Sequence, residues 1–263
     1  MRDIFPDPSE ILSHEDPTRR AQIQMQKPLP KRFYKEVSVA EVDGGYAIHL
    51  DGKPVKTPAR QALTASTSEL AELIRDEWAN QVEVIDPRIM PITRLMNTAL
   101  DGIAPDPQPV FEDILRFSSS DMLCYRADGP DNLVARQTER WDPIIDWAAN
   151  DLGARFILIE GIMPQEQPRD ATAAFSVTLR KYQSPVELAA LHTVTTLTGS
   201  AILALAFAEG RLSAEEVWDL AHLDEDWTNE HWGTDAEAQH RREKRHEELQ
   251  AAAAVFYALG RRA

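Results

Sequence analysis

His222-Leu-Asp-Glu-Asp-Trp-Thr-Asn-Glu-His-Trp-Gly233 concentrates chemistry in twelve residues: His222 and His231, Asp224, Glu225, Asp226 and Glu230, with Trp227 and Trp232 between them. Imidazoles and carboxylates at such density can ligate a metal, share protons as an acid/base pair, or form a charged recognition surface. On a helix, side chains meet at separations of three or four. His222 and Asp226 satisfy that spacing; His231 and Asp235 also do, but Gly233 lies between them and should break the helix. Neither pair brings a third ligand, and there is no H-E-x-x-H and no carboxylate-rich pair of helices with E-x-x-H, so no metal is expected.

Counting the segment as one continuous helix puts Val217, Leu220, Ala221, Asp224, Trp227, Thr228 and His231 on one side. Asp224 and His231 then turn inward, and Asp224 becomes a buried carboxylate in need of partners. Arg241, Arg242 and Arg245 of the following segment could supply them. Asp224, His231 and Gly233 are therefore expected to be structural. Asp226 and Glu230 turn outward, Glu225 lies at the edge, and Trp232 stands beside them. The alternative is a soluble enzyme whose acid/base or metal site surrounds Asp224 and His231. No catalytic residue is assigned, because a nucleophile search finds no G-x-S-x-G, no Walker lysine loop and no G-x-G-x-x-G. No cofactor is expected.

The elements that must hold this segment are legible in part. From Lys31 to Pro58 the chain alternates with period two around Asp43-Gly-Gly and Asp51-Gly turns, which predicts a three-strand meander. Ser66-x-x-Glu69 reads as a capping box for a helix bearing Leu70, Leu73, Ile74 and Trp78. Val82–Asp86 could add a strand, and Ile92, Leu95, Met96, Ala99 and Leu100 form another helical stripe. Beyond the proline-rich stretch 104–109 nearly everything reads helical. Asp142-Pro143 predicts a helix start with Gly153 as terminator, Ser184-Pro185-x-Glu187 and Ser213-x-x-Glu216 repeat the start signal, and Ala201–Phe207 is apolar all round. Ala154–Gly161 is a lone strand or an extended connector. The fold class is α+β: an extended leader over 1–30, a small strand-rich N-terminal α/β domain over 31–105, and a larger all-helical C-terminal domain over 106–263. Of the six tryptophans, Trp218 falls outside the apolar stripe, as does Leu223, which suggests a second contact surface; core packing is the plainer account of both.

Composition narrows the classes. The net charge of −15 over 263 residues disfavours nucleic acid and anionic membrane as partners. The single Cys124 excludes an intrachain disulfide and, among apolar neighbours, reads as a buried thiol. No apolar run reaches membrane-spanning length, and Asp3, Asp7, Glu10, Glu15 and Asp16 suit neither a secretory signal nor a mitochondrial transit peptide, so a cytoplasmic location is expected.

Three segments in order, Lys31-Arg-Phe-Tyr-Lys-Glu-Val with Gly44–Pro58, Trp141–Ala148 and Leu223–Gly233, resemble the assembly chaperones of the ATP synthase catalytic head, in particular those that escort the alpha subunit. The resemblance spans roughly residues 31 to 250. It implies a non-enzymatic protein that binds the unassembled alpha subunit, prevents its aggregation and releases it when the beta subunit arrives. It also implies an acidic client-binding site around the Trp-Gly motif, carried here by Glu230 first, then Glu225, Trp232 and Asp226. The acidic N-terminus points to a bacterial relative, and a monomer is the expected state.

Overall fold

A computed structural model describes residues 28–161 and 165–261. The leader expected over 1–30 falls, up to residue 27, outside the described residues. The chain divides into two compact units at the Pro105–Asp106 junction.

The first unit is built on the alternating segment. Strands β1 (Val37–Val42) and β2 (Gly45–Leu50) pair antiparallel, from Val37 opposite Leu50 to Val42 opposite Gly45. β2 also pairs with β3 (Lys53–Pro54) and β4 (Thr64–Ala65). Gly45 is fixed by this crossing: a Cβ there would stand 2.3 Å from the Ala65 carbonyl oxygen. Asp51 closes the second turn with φ of +49°, and its carboxylate accepts the Lys35 and Glu36 amides. Helix α1 (Ser68–Ala79) packs on β1 and β2 and buries Leu70, Ile74 and Trp78. Its cap is Thr67, which accepts Leu70 N at 3.2 Å, one residue after the Ser66 expected from the sequence. Thr67 and Ser66 both can cap, and only the position of the first buried turn decides between them. The expected strand at Val82–Asp86 is reduced to a single bridge between Lys31 and Val84. α2 (Pro91–Asn97) runs into a π-helical segment, Thr98–Ile103, and the carboxylate of Glu77 accepts the Ile92 and Thr93 amides at its start.

The second unit is mostly helical: α3 (Gln108–Ser118), α4 (Asp131–Asp151), α5 (Arg169–Leu179), α6 (Pro185–Thr198), α7 (Ala201–Ala208), α8 (Ala214–Ala221), α9 (Leu223–Trp232) and α10 (Ala236–Ala258). It also holds one two-residue parallel pair, β5 (Tyr125–Arg126) with β6 (Ile159–Glu160), so it is not all-helical. α7 is the centre, with every residue from Ala201 to Phe207 buried, as its all-round apolarity requires. α3, α4, α6 and α8 pack against it, and α10 lies along α6. Asp121, fully buried, accepts Leu123 N at 3.1 Å and Ile202 N at 2.9 Å, joining a short 3-10 turn (Met122–Cys124) to the start of α7. The capping boxes at Ser184 and Ser213 form as expected. Cys124 is buried, and that burial pushes its thiol up to about 12.

The helix predicted to start at Asp142 begins eleven residues earlier. α4 runs through Pro143 because both sides of it are tied down: Trp141 is buried with Nε1 donating to the Leu220 carbonyl at 2.9 Å, and Ile144 and Ile145 are buried beyond. Proline forfeits one helical hydrogen bond; here tertiary burial outweighs that. The Asp142 carboxylate is used instead to pair with Arg126 at 2.7 Å.

Candidate functional site

Residues 214–232 form two helices and not one. α8 stops at Ala221, His222 stands between with φ −108° and ψ 14°, and α9 starts at Leu223. That break changes the phase on which the inward and outward faces were counted. Val217, Trp218 and Leu220 are buried on α8, and Leu223 and Trp227 on α9. Trp218 and Leu223 are thus core rather than a second surface. Asp224 and His231 are exposed, which corrects their expected inward placement.

Each side chain of α9 has its own engagement. Asp224 accepts Gln137 Nε2 of α4 at 2.8 Å, so the arginines expected at Asp224 are elsewhere. Arg242 pairs with half-buried Asp226 at 2.5 Å while lying over the Trp218 ring, Arg241 pairs with Glu237 of its own helix, and Arg245 donates to the Leu197 carbonyl. Glu225 is half-buried and adds to the field on Arg242. Three acids in the first turn also suit the positive end of the helix dipole. Glu230 is exposed and pairs with Arg136 of α4 at 2.7 Å, and Arg136 holds its carboxyl below the usual glutamate range. His222 is buried, its ring 3.7 Å from that of Trp218, with Nδ1 2.9 Å from the Trp218 carbonyl. Burial, then Arg242 and Arg245, push its pKa down.

The aromatic end of α9 is open. Trp232 is 71% exposed, the most exposed of the six tryptophans. It meets Trp227 edge-on at 5.3 Å, and His231 stacks on Trp227 at 4.1 Å and lies 5.7 Å from the Trp232 ring. Trp227 is 8% exposed, and its indole N–H is buried without a hydrogen-bond partner among the described residues. Gly233 ends the helix with φ of +83°.

The arrangement is poorly suited to acid/base catalysis. Asp224 and His231 are seven residues apart, about 10 Å along the axis, and each is committed to a different neighbour. No group of three metal-ligating side chains lies together among the described residues. What the geometry offers is an exposed aromatic ring at a helix end with one carboxylate, Glu230, in the same turn, the kind of anchor that dominates protein–protein contacts. Sequence reasoning missed Arg136 and Gln137, which lie in a stretch it left without a helix; nothing in their spacing announces partners some ninety residues away.

Comparison with known proteins fits this picture. The family of the ATP12 chaperone protein matches residues 31–149. The chain is 64% identical to the Atu1473 protein of Agrobacterium tumefaciens, described as a candidate chaperone; the match covers 98% of this chain and 97% of that one, with a TM-score of 0.87. It is 36% identical to Atp12 from Paracoccus denitrificans, covering 87% of this chain and 98% of that one, with a TM-score of 0.81. Protein atp12, mitochondrial, of Schizosaccharomyces pombe is 24% identical over 227 residues, 82% of this chain and 78% of the relative. Fold and sequence alike place the chain among assembly chaperones. It belongs to the ATP12 family, chaperones of ATP synthase assembly.

Proposed function

We propose that this protein binds the unassembled alpha subunit of the ATP synthase catalytic head, keeps it from aggregating, and releases it when the beta subunit takes its place. An orphan subunit exposes an apolar interface that self-associates. A chaperone must cover that surface yet yield it to a tighter partner, which calls for a moderate contact around few anchors. The client site is the end of α9, with Trp232 at its centre and Glu230, Glu225 and Asp226 around it. The observation that carries this reading is the exposed Trp232 ring at the end of an acidic helix, in a chain of this family. The protein acts by binding, without catalysis, as a monomer in the bacterial cytoplasm. Its similarity to two bacterial proteins supports that setting, and no helix among the described residues is long and apolar enough to cross a membrane.

The test is dilution of denatured alpha subunit into buffer with the protein at equal concentration, followed by light scattering. Wild type suppresses aggregation and Trp232→Ala does not, at unchanged melting temperature. Equal suppression by both would remove the site from the end of α9.

A further inference from the structure

Glu230 faces solvent, yet its charge is already matched by Arg136 at 2.7 Å. The partner comes from the second turn of α4, 94 residues earlier. The turn it reaches is the least buried part of α9. Thr228, Glu230, His231 and Trp232 are exposed and Asn229 is half-buried, while Trp227 is the last buried residue. His231 and Trp232 pack on Trp227 of their own helix, and the helix stops at Gly233. Among the described residues the Trp227 N–H has no acceptor, so even this anchor is imperfectly satisfied. A terminal turn that buries so little opens locally at small cost. A tie from its middle to a second, 21-residue helix therefore decides how often it is formed, even though an exposed pair adds little to global stability. Trp232 lies two residues beyond that tie.

We infer that Arg136 is a positioning residue: by pairing with Glu230 it holds the last turn of α9 helical and fixes the orientation in which Trp232 is offered to the client. Glu230 then acts through Arg136 and not by meeting a cation of the client. The matching surface on the client is an apolar pocket that takes the indole. This rests on the reading of the α9 end as the client site.

The experiment uses the full chain and three readouts: suppression of alpha-subunit aggregation, melting temperature, and hydrogen exchange of the amides of residues 229–233. Arg136→Ala speeds exchange there and weakens suppression about two- to fivefold, the range an exposed pair spans, with the melting temperature unchanged. Arg136→Lys retains most of both. Glu230→Arg alone is worse than Arg136→Ala, since it sets two guanidinium groups against each other. The exchanged pair, Arg136→Glu with Glu230→Arg, restores slow exchange and suppression. If the exchanged pair suppresses no better than Glu230→Arg while its amides exchange slowly, Glu230 meets the client directly and the inference is overturned, with the site reading intact. Unchanged exchange and suppression in Arg136→Ala overturn it as well. Full suppression by Trp232→Ala instead overturns the site reading, and with it the role given to Arg136.

Discussion

Asp224 and Asp226 sit two residues apart and have traded the roles their spacing suggests. Asp226 takes the half-buried arginine, Arg242, while Asp224 stays at the surface with an amide partner. Asp224→Ala should therefore cost no more than about 1 kcal/mol, the net worth of one such hydrogen bond; chemical denaturation measures this, and a loss of several kcal/mol would mean that Asp224 carries more than its amide contact. Asp121 is the opposite case. Its carboxylate is fully buried and serves the Leu123 and Ile202 amides. Asp121→Ala leaves two buried N–H groups without an acceptor, at about 1–3 kcal/mol each, while Asp121→Asn keeps one acceptor oxygen and loses less. Equal losses for the two variants would contradict this. Neither aspartate's fate was legible in the sequence. The inward face was counted on an unbroken helix, and the bend at His222 has no proline or glycine to announce it.

The α8–α9 break is the element on which the site depends. Ser213 caps α8 by accepting Glu216 N, and the Glu216 carboxylate returns to Ser213 N. That box was readable because both halves lie within four residues. Ser213→Ala should cost about 1 kcal/mol, measured as a shift in the denaturation midpoint. At the break itself, buried His222 faces Arg242, Arg245 and Glu225, and its pKa is held below 6.5. The unfolded chain then binds the proton more readily than the folded one, so the contribution of His222 is complete above pH 6.5 and declines as the pH falls toward its folded value. His222→Asn keeps a donor for the Trp218 carbonyl and removes the titration. Between pH 7 and 5 the wild type should lose more stability than the variant; parallel pH profiles would rule this out. The helical start at Asp131 and the parallel pair β5–β6 were illegible for a different reason. α4 is held by Trp141 reaching Leu220, 79 residues along the chain, and by Arg126 pairing with Asp142 from outside the helix, and two-residue strands carry no period.

At the scale of the molecule, charge is unevenly shared. Residues 106–263 carry 27 Asp and Glu against 15 Lys and Arg, a net −12 of the total −15. Much of that charge lies on α8 and α9, where the closest carboxylates are matched by Arg136 and Arg242. The α+β class was visible from the sequence because a period-two stretch with glycine turns gives way to capped helical stripes. The proposed client site was visible only as composition: that acids and tryptophans cluster, not which of them point outward. The structure supplies the missing distinction, since burial of Trp227 and exposure of Trp232 follow from where α9 ends and what it lies against. The central claim is that this exposed end holds the alpha subunit. It is tested most directly by titrating wild type and Trp232→Ala against denatured alpha subunit and following light scattering. The account predicts suppression near a one-to-one ratio for wild type and its loss in the variant at equal melting temperature. Suppression by the variant at the same ratio would contradict it.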